Sequence, residues 1–70
     1  MAQHNFPPRA LADAYYIARV IVNNNQVVAD SVYQRIVKER KLKKFEAVML
    51  ANMALKFSIK YQDIFVKEVY

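Results

Sequence analysis

The sequence predicts an all-α protein, a small bundle of three or four helices. The chain contains no glycine, and its two prolines are the adjacent Pro7 and Pro8. Both facts argue against β-hairpins, whose tight turns use residues that tolerate positive φ. A chain of 70 residues forms one domain, because it buries only about 60% of its unfolded surface. We predict an extended arm over residues 1–7 and a single helical domain over residues 8–70.

The first helix is predicted to begin at Pro8, since proline suits the first helical position, and to run to Val22. Its end is indicated by the asparagines at 23–25, because asparagine tolerates the left-handed conformation that helix C-termini use. Apolar residues recur along this segment at helical spacing and form one side of the predicted helix. The opposite side carries Tyr16 and Val20, which we expect to contact another molecule.

The second helix is predicted from Gln26 to Lys41, with apolar and polar residues on separate sides. A third begins at Lys43 or Lys44 and is so apolar that we expect it to be the centre of the core. Ser58 is the predicted break, acting as the N-cap of a last helix from Ile59 to Tyr70. Without that break, residues 44–70 would form one helix of about 40 Å.

The net charge of +5 comes entirely from residues 35–44, since the charges of residues 1–34 and of residues 45–70 cancel. Six cations in this segment accompany a single acid, Glu39. Such a cluster predicts salt-sensitive contacts with the phosphates of DNA or RNA. The alternative is a solubilising face, whose basic residues the dipole of the second helix would favour in any case. The six candidate phosphate contacts are Arg35, Lys38, Arg40, Lys41, Lys43 and Lys44.

Catalytic chemistry fits this sequence poorly. Neither serine has a histidine nearby in sequence, because the one histidine is His4, so a nucleophile and its base are not indicated. One histidine and no cysteine do not make a metal site, and phosphate-cradling loops need glycine. The carboxylates are all predicted on solvent-facing sides. We expect no enzyme, no cofactor, no metal and no small-molecule substrate.

Residues 50–66 resemble a helix-turn-helix. The family's small residue in the first helix, its turn residue and the two following hydrophobic positions are matched by Ala54, Ser58, Ile59 and Ile64. The resemblance implies that a recognition helix entering the major groove of DNA begins just after the turn. The residues at its start would be Lys60, Tyr61 and Gln62.

The N-terminal half is also similar to the ribbon-helix-helix repressors. The matching positions are Gln3, Asn5, the Pro8-Arg9 pair and the segment 31–37. In that family a strand from each subunit of a dimer lies in the major groove. The resemblance implies that Gln3 and Asn5 contact bases, and the alternative is a disordered arm.

The predicted function is that of a small non-enzymatic DNA-binding regulator of bacterial or phage type, acting as a homodimer. The alternative is a helical protein-interaction module, an adaptor or inhibitor, that homodimerises or docks through Tyr16, Val20 and an apolar helix face, with its basic segment contacting an acidic partner. The hydrophobic fraction of 56% exceeds the usual 45–50%, which favours a second copy or another partner. With no cysteine, no signal-peptide pattern and no apolar stretch of membrane-spanning length, we expect a cytoplasmic protein without a membrane contact.

Overall fold

The computed structural model describes residues 8–68, with side chains described for residues 9–66. These residues form four helices and no strand. The prediction of an all-α bundle is confirmed, and the first two helices match their predicted bounds to within one residue. The arm over residues 1–7, with Gln3 and Asn5, lies outside the described residues. The helices are α1 (Pro8–Asn23), α2 (Gln26–Arg40), α3 (Lys44–Lys60) and α4 (Gln62–Glu68).

The asparagines at 23–25 form hydrogen bonds that stabilise the end of α1 and the beginning of α2. The Asn25 side chain accepts a hydrogen bond of 2.9 Å from the backbone N–H of Val28, which makes Asn25 the N-cap of α2. Asn23 donates from Nδ2 to the carbonyl oxygens of Arg19 and Phe65, each at 3.1 Å. The second of these bonds ties the end of α1 to α4. Within the described chain the left-handed conformation occurs at Lys41 rather than at these asparagines.

The centre of the bundle is α1, which packs against each of the other three helices. Its fully buried Ala14 lies in one cluster with Leu50 and Ala54 of α3. Alanine at facing positions allows two helices to approach closely, and Leu50 fills the space beside them. The prediction that α3 is central was wrong. That helix is apolar on two sides, and the bundle covers only one of them.

The break between the last two helices lies at Tyr61 and not at Ser58. Ser58 is buried inside α3, where its hydroxyl donates a hydrogen bond of 2.7 Å to the carbonyl oxygen of Leu55. A serine side chain bonded to its own helix in this way does not cap the next one. Four aromatic rings meet where α3 ends. The rings of Tyr15 and Phe57 are stacked at 4.4 Å, and Tyr61 lies 5.8 Å from the first and 5.7 Å from the second.

Phe65 of α4 completes this aromatic cluster, with its ring centre 6.1 Å from that of Tyr61. A hydrogen bond between the side chains of Tyr15 and Tyr61 raises the pKa of Tyr15 above its usual value. The cluster joins α1, α3 and α4, so it determines where α3 ends and where α4 is placed.

Candidate nucleic-acid interface

Five exposed cations lie where α2 passes into α3, and we call this group the basic corner: Arg35, Lys38, Lys41, Lys43 and Lys44. Arg35 and Lys38 are three residues apart on α2, on the side away from the buried Ile36. The three lysines that follow lie in the turn and at the first position of α3. Among the described residues, the structure pairs none of these five side chains with a carboxylate.

Arg40, the sixth predicted phosphate contact, is already engaged. Its Nε donates to Asp13 Oδ2 at 2.9 Å and its Nη2 donates to Asp13 Oδ1 at 3.1 Å. These hydrogen bonds raise the pKa of Arg40 above its usual value. Asp13 was predicted on a solvent-facing side, but its side chain is only 13% exposed. The pair fastens the end of α2 to the beginning of α1, and no local pattern predicts it because the partners lie 27 residues apart.

Backbone hydrogen bonds hold the turn of the basic corner. Lys41 takes the left-handed conformation, with φ 54° and ψ 48°, and its N–H donates to the carbonyl oxygen of Lys38 at 3.2 Å. The N–H of Lys43 donates to a carboxylate oxygen of Glu46 at 2.8 Å, which places an acid in the first turn of α3. The turn is therefore ordered without using the lysine ammonium groups, which face solvent.

Lys60, Tyr61 and Gln62, which were expected to lie together in the first turn of a recognition helix, are divided between two helices and the residue that separates them. Lys60 is the last residue of α3, Tyr61 belongs to the aromatic cluster, and Gln62 begins α4. The prediction of a turn at Ser58 was wrong, since α3 continues through Ser58 and the break between the last two helices lies three residues later, at Tyr61. These residues also lie at the far end of α3, about 24 Å along its axis from Lys44.

The two predicted contact residues on α1 have different environments. Tyr16 is 50% exposed and is accessible, whereas Val20 is 8% exposed and belongs to the core. The prediction for Val20 was wrong because three helices surround α1 and cover more than one of its sides. Sequence reasoning also missed an exposed apolar side of α3, because the third helix was expected to be the centre of the core and Ile59 was expected to begin the last helix. Its apolar members are Phe45, Val48, Met49, Leu55 and Ile59.

The described residues contain no group of histidine, cysteine, aspartate and glutamate side chains placed to hold a metal ion. A cavity of about 150 Å³ lies between α1, α2 and α3, lined by Ile17, Tyr33 and Leu55 among others. Sites for drug-sized ligands usually measure about 300–1,000 Å³. None of the described helices combines the length and the apolar character needed to cross a bilayer.

Comparison of the chain with known protein families, with curated proteins and with solved structures found no match. Two surface features remain from which a function can be inferred: the basic corner and the exposed apolar side of α3. They adjoin at the beginning of α3, where an open groove is lined by Lys43, Lys44, Phe45, Val48 and Met49.

Proposed function

We propose that this chain is a non-enzymatic nucleic-acid-binding protein that holds the phosphate backbone of duplex DNA with its basic corner. The observation that carries the proposal is that five exposed cations, free of described acidic partners, share one corner in which Glu39 is the one exposed acid. Cations placed on phosphates release condensed counterions, which drives binding and makes it salt-dependent. Arg40 is left out of the proposed contact set because Asp13 holds it.

Backbone contacts position a protein on DNA but do not read its sequence. The loss of the recognition helix at Lys60 to Gln62 therefore changes the proposal: the described residues supply affinity, and no base contact is assigned to them. A role as a regulator of bacterial or phage type needs base contacts in addition. For those, Gln3 and Asn5 remain the predicted residues.

The proposal is tested by titrating the protein with mixed-sequence duplex DNA at several salt concentrations. Five phosphate contacts predict a slope of log K against log salt of about −4 to −5. The double variant Lys43→Gln with Lys44→Gln removes two contacts, so we expect the slope to become shallower by about two. Fluorescence anisotropy of labelled DNA measures both slopes.

The matched control is Lys56→Gln with Lys60→Gln, which lowers the net charge equally at exposed positions toward the other end of α3. We expect this variant to keep the wild-type slope. Absence of binding at low salt would contradict the proposal. An equal change of slope in both double variants would show that net charge, and not the basic corner, determines binding.

Lys41→Gly distinguishes the role of Lys41 in DNA binding from its role in folding, because the substitution should stabilise the protein and weaken its binding to DNA. Lys41 lies at φ 54°, a region that costs a residue with a Cβ about 1–2 kcal/mol and that glycine enters freely. After the loss of chain entropy is subtracted, we expect the free energy of unfolding to rise by about 0.5–1 kcal/mol. The same change removes one cation, so the salt slope should become shallower by about one.

Urea titration followed by circular dichroism measures the stability of Lys41→Gly, and the DNA titration measures its slope. Lys41→Asn is a second variant for the same comparison, since asparagine also tolerates the left-handed region. A less stable Lys41→Gly protein would contradict the role assigned to Lys41 in the turn. An unchanged salt slope would remove Lys41 from the proposed contacts.

The second candidate function is a protein-interaction module that docks on an acidic protein. It is favoured by the open groove at the beginning of α3, where Lys43 and Lys44 border Phe45 and Met49, and by the exposed ring of Tyr16. Apolar contacts bordered by cations suit an acidic peptide with apolar residues. Titration with a glutamate-rich polypeptide distinguishes the candidates. Binding to this polypeptide without binding to duplex DNA would favour the second one.

A further inference from the structure

The exposed side of α3 has a regular spacing. Five of its exposed residues alternate steps of three and four, so that they follow the a and d positions of a heptad repeat, and the exposed Lys44, Met49, Lys56 and Lys60 flank them. The four apolar members are exposed by 63%, 50%, 52% and 77% in chain order, and the central member is an asparagine. We call this stripe the second apolar face: Phe45, Val48, Asn52, Leu55 and Ile59.

The centre of the second apolar face is on the opposite side of α3 from the core, and Leu55 lies at its edge, where it also lines the cavity between α1, α2 and α3. At about 100° per residue, Leu50 and Ala54 lie about 160° from Asn52 around the helix axis. Both are at most 2% exposed and belong to the cluster that α3 forms with α1. A rotation of α3 that buried the second face would expose Leu50 and Ala54, so this bundle can bury one face or the other and not both.

We propose that a second copy of this chain covers the second apolar face, through an antiparallel pairing of the two α3 helices about a two-fold axis near Asn52. The first reason is the symmetry of the stripe. In a two-fold interface the same surface of each copy meets itself. With Asn52 at the axis, the outer residues Phe45 and Ile59 of one copy are level with Ile59 and Phe45 of the other. Val48 of one copy and Leu55 of the other lie between them, offset by one residue, about 1.5 Å along the axis.

The second reason is the character of the central residue. An asparagine among apolar contacts is unfavourable unless its amide finds hydrogen-bonding partners. On a two-fold axis each Asn52 amide can donate to and accept from the other, because the group carries both donors and an acceptor. A buried asparagine at an a position also specifies one alignment of paired helices over its alternatives.

The third reason is the area of the face. Together with the neighbouring Met49, which is 44% exposed, the apolar side chains offer on the order of 500 Å² per copy, more than the few hundred Å² usual for a monomer surface. Two copies would bury on the order of 1,000 Å², the lower bound for a specific interface. We therefore expect a dimer that dissociates on dilution. Domains of this length often rely on self-association for stability.

Charge decides the orientation. A parallel pair would bring Lys43 and Lys44 of both copies together at one end of the interface. An antiparallel pair separates the two basic corners by the length of the stripe, about 21 Å along α3. Each basic corner then lies beside residues 60–63 of the other copy, a segment with no net charge. Like charges brought together are destabilising, so the antiparallel pair is favoured. This inference does not depend on the proposed binding of nucleic acid.

Engineered cysteines test the arrangement directly, because the chain contains none of its own. Under mild oxidation we expect Asn52→Cys to form a disulfide-linked dimer, since its two copies meet at the axis within disulfide reach. Phe45→Cys alone should not cross-link, whereas its mixture with Ile59→Cys should give the mixed dimer. Gln34→Cys, on the exposed side of α2, is the control and should remain monomeric on a denaturing gel.

Efficient cross-linking of Phe45→Cys to itself, with no mixed dimer, would overturn the antiparallel orientation. Cross-linking of Asn52→Cys no faster than that of Gln34→Cys would overturn the whole interface. These experiments contain no nucleic acid, so their failure is distinguishable from failure of the DNA-binding proposal.

Sedimentation equilibrium tests the same interface without a covalent bond. We expect the wild-type protein to shift from monomer to dimer as its concentration rises. Ile59→Asp should abolish the shift while keeping the helical circular dichroism spectrum, because Ile59 is 77% exposed in the single copy. The matched control is Val27→Asp, which puts the same charge at an exposed apolar residue of α2 and should still dimerise. A monomeric wild-type protein, or an Ile59→Asp protein that dimerises like the wild type, would overturn the proposal.

Discussion

Leu50→Ala is expected to remove about half of the stability of this protein. Leu50 is 2% exposed and is the largest fully buried side chain among the described residues. Truncation of a buried leucine costs about 2–5 kcal/mol, because apolar contacts are lost and a cavity remains beside the surrounding groups. At about 0.05–0.15 kcal/mol per residue, a domain of this length has about 4–10 kcal/mol in total. Urea titration followed by far-ultraviolet circular dichroism measures the loss.

The control for this experiment is Leu11→Ala, the same substitution on α1 at a residue that is 37% exposed. We expect it to cost about 1 kcal/mol, since part of the side chain is in water before the change. Equal losses for Leu50→Ala and Leu11→Ala would mean that Leu50 does not fill the core between α1 and α3.

Phe65→Ala is expected to detach α4 from the bundle. Phe65 is 5% exposed, and its ring contacts Tyr61 and lies beneath the guanidinium of Arg19 at 5.7 Å. Loss of a buried phenylalanine side chain costs about 3–5 kcal/mol. We expect about 3 kcal/mol here, because α4 is a short helix that can separate without unfolding the other three. Urea titration measures this loss, and hydrogen exchange should show reduced protection in α4.

The neighbouring Ile64 provides the control for Phe65→Ala. It matches a hydrophobic position of the helix-turn-helix pattern, but it is 54% exposed. Ile64→Ala should therefore cost less than about 1 kcal/mol and leave the protection of α4 unchanged. A larger loss from Ile64→Ala than from Phe65→Ala would contradict the placement of α4 against α1.

The sequence by itself determined the helical class and the bounds of α1 and α2. Their signals are local. Pro8 suits the beginning of a helix whatever lies around it, and Asn25 caps α2 through a bond to Val28, three residues away. The concentration of positive charge over residues 35–44 is likewise a property of the chain and needs no fold to be recognised.

Tertiary structure decided where α3 ends. A serine such as Ser58 is a good local cap, but burial against the bundle and its bond to Leu55 keep it within the helix. The helix ends instead at Tyr61, whose ring meets Tyr15 of α1. Tyr15 is 46 positions earlier in the chain than Tyr61. Whether α3 ends at Ser58 or at Tyr61 therefore depends on a tertiary contact, which the local sequence does not encode.

Tertiary structure also decided which groups remain available for binding. Arg40 and Lys38 are equivalent by sequence, yet Asp13 engages only Arg40. Val20 and the second apolar face are similarly apolar, yet the bundle covers Val20 and leaves that face of α3 exposed. The hydrophobic effect depends on the apolar area removed from water and not on direction. A sequence therefore shows that a residue is apolar, but only the packing of α1 against its three neighbours decides which apolar residues are buried.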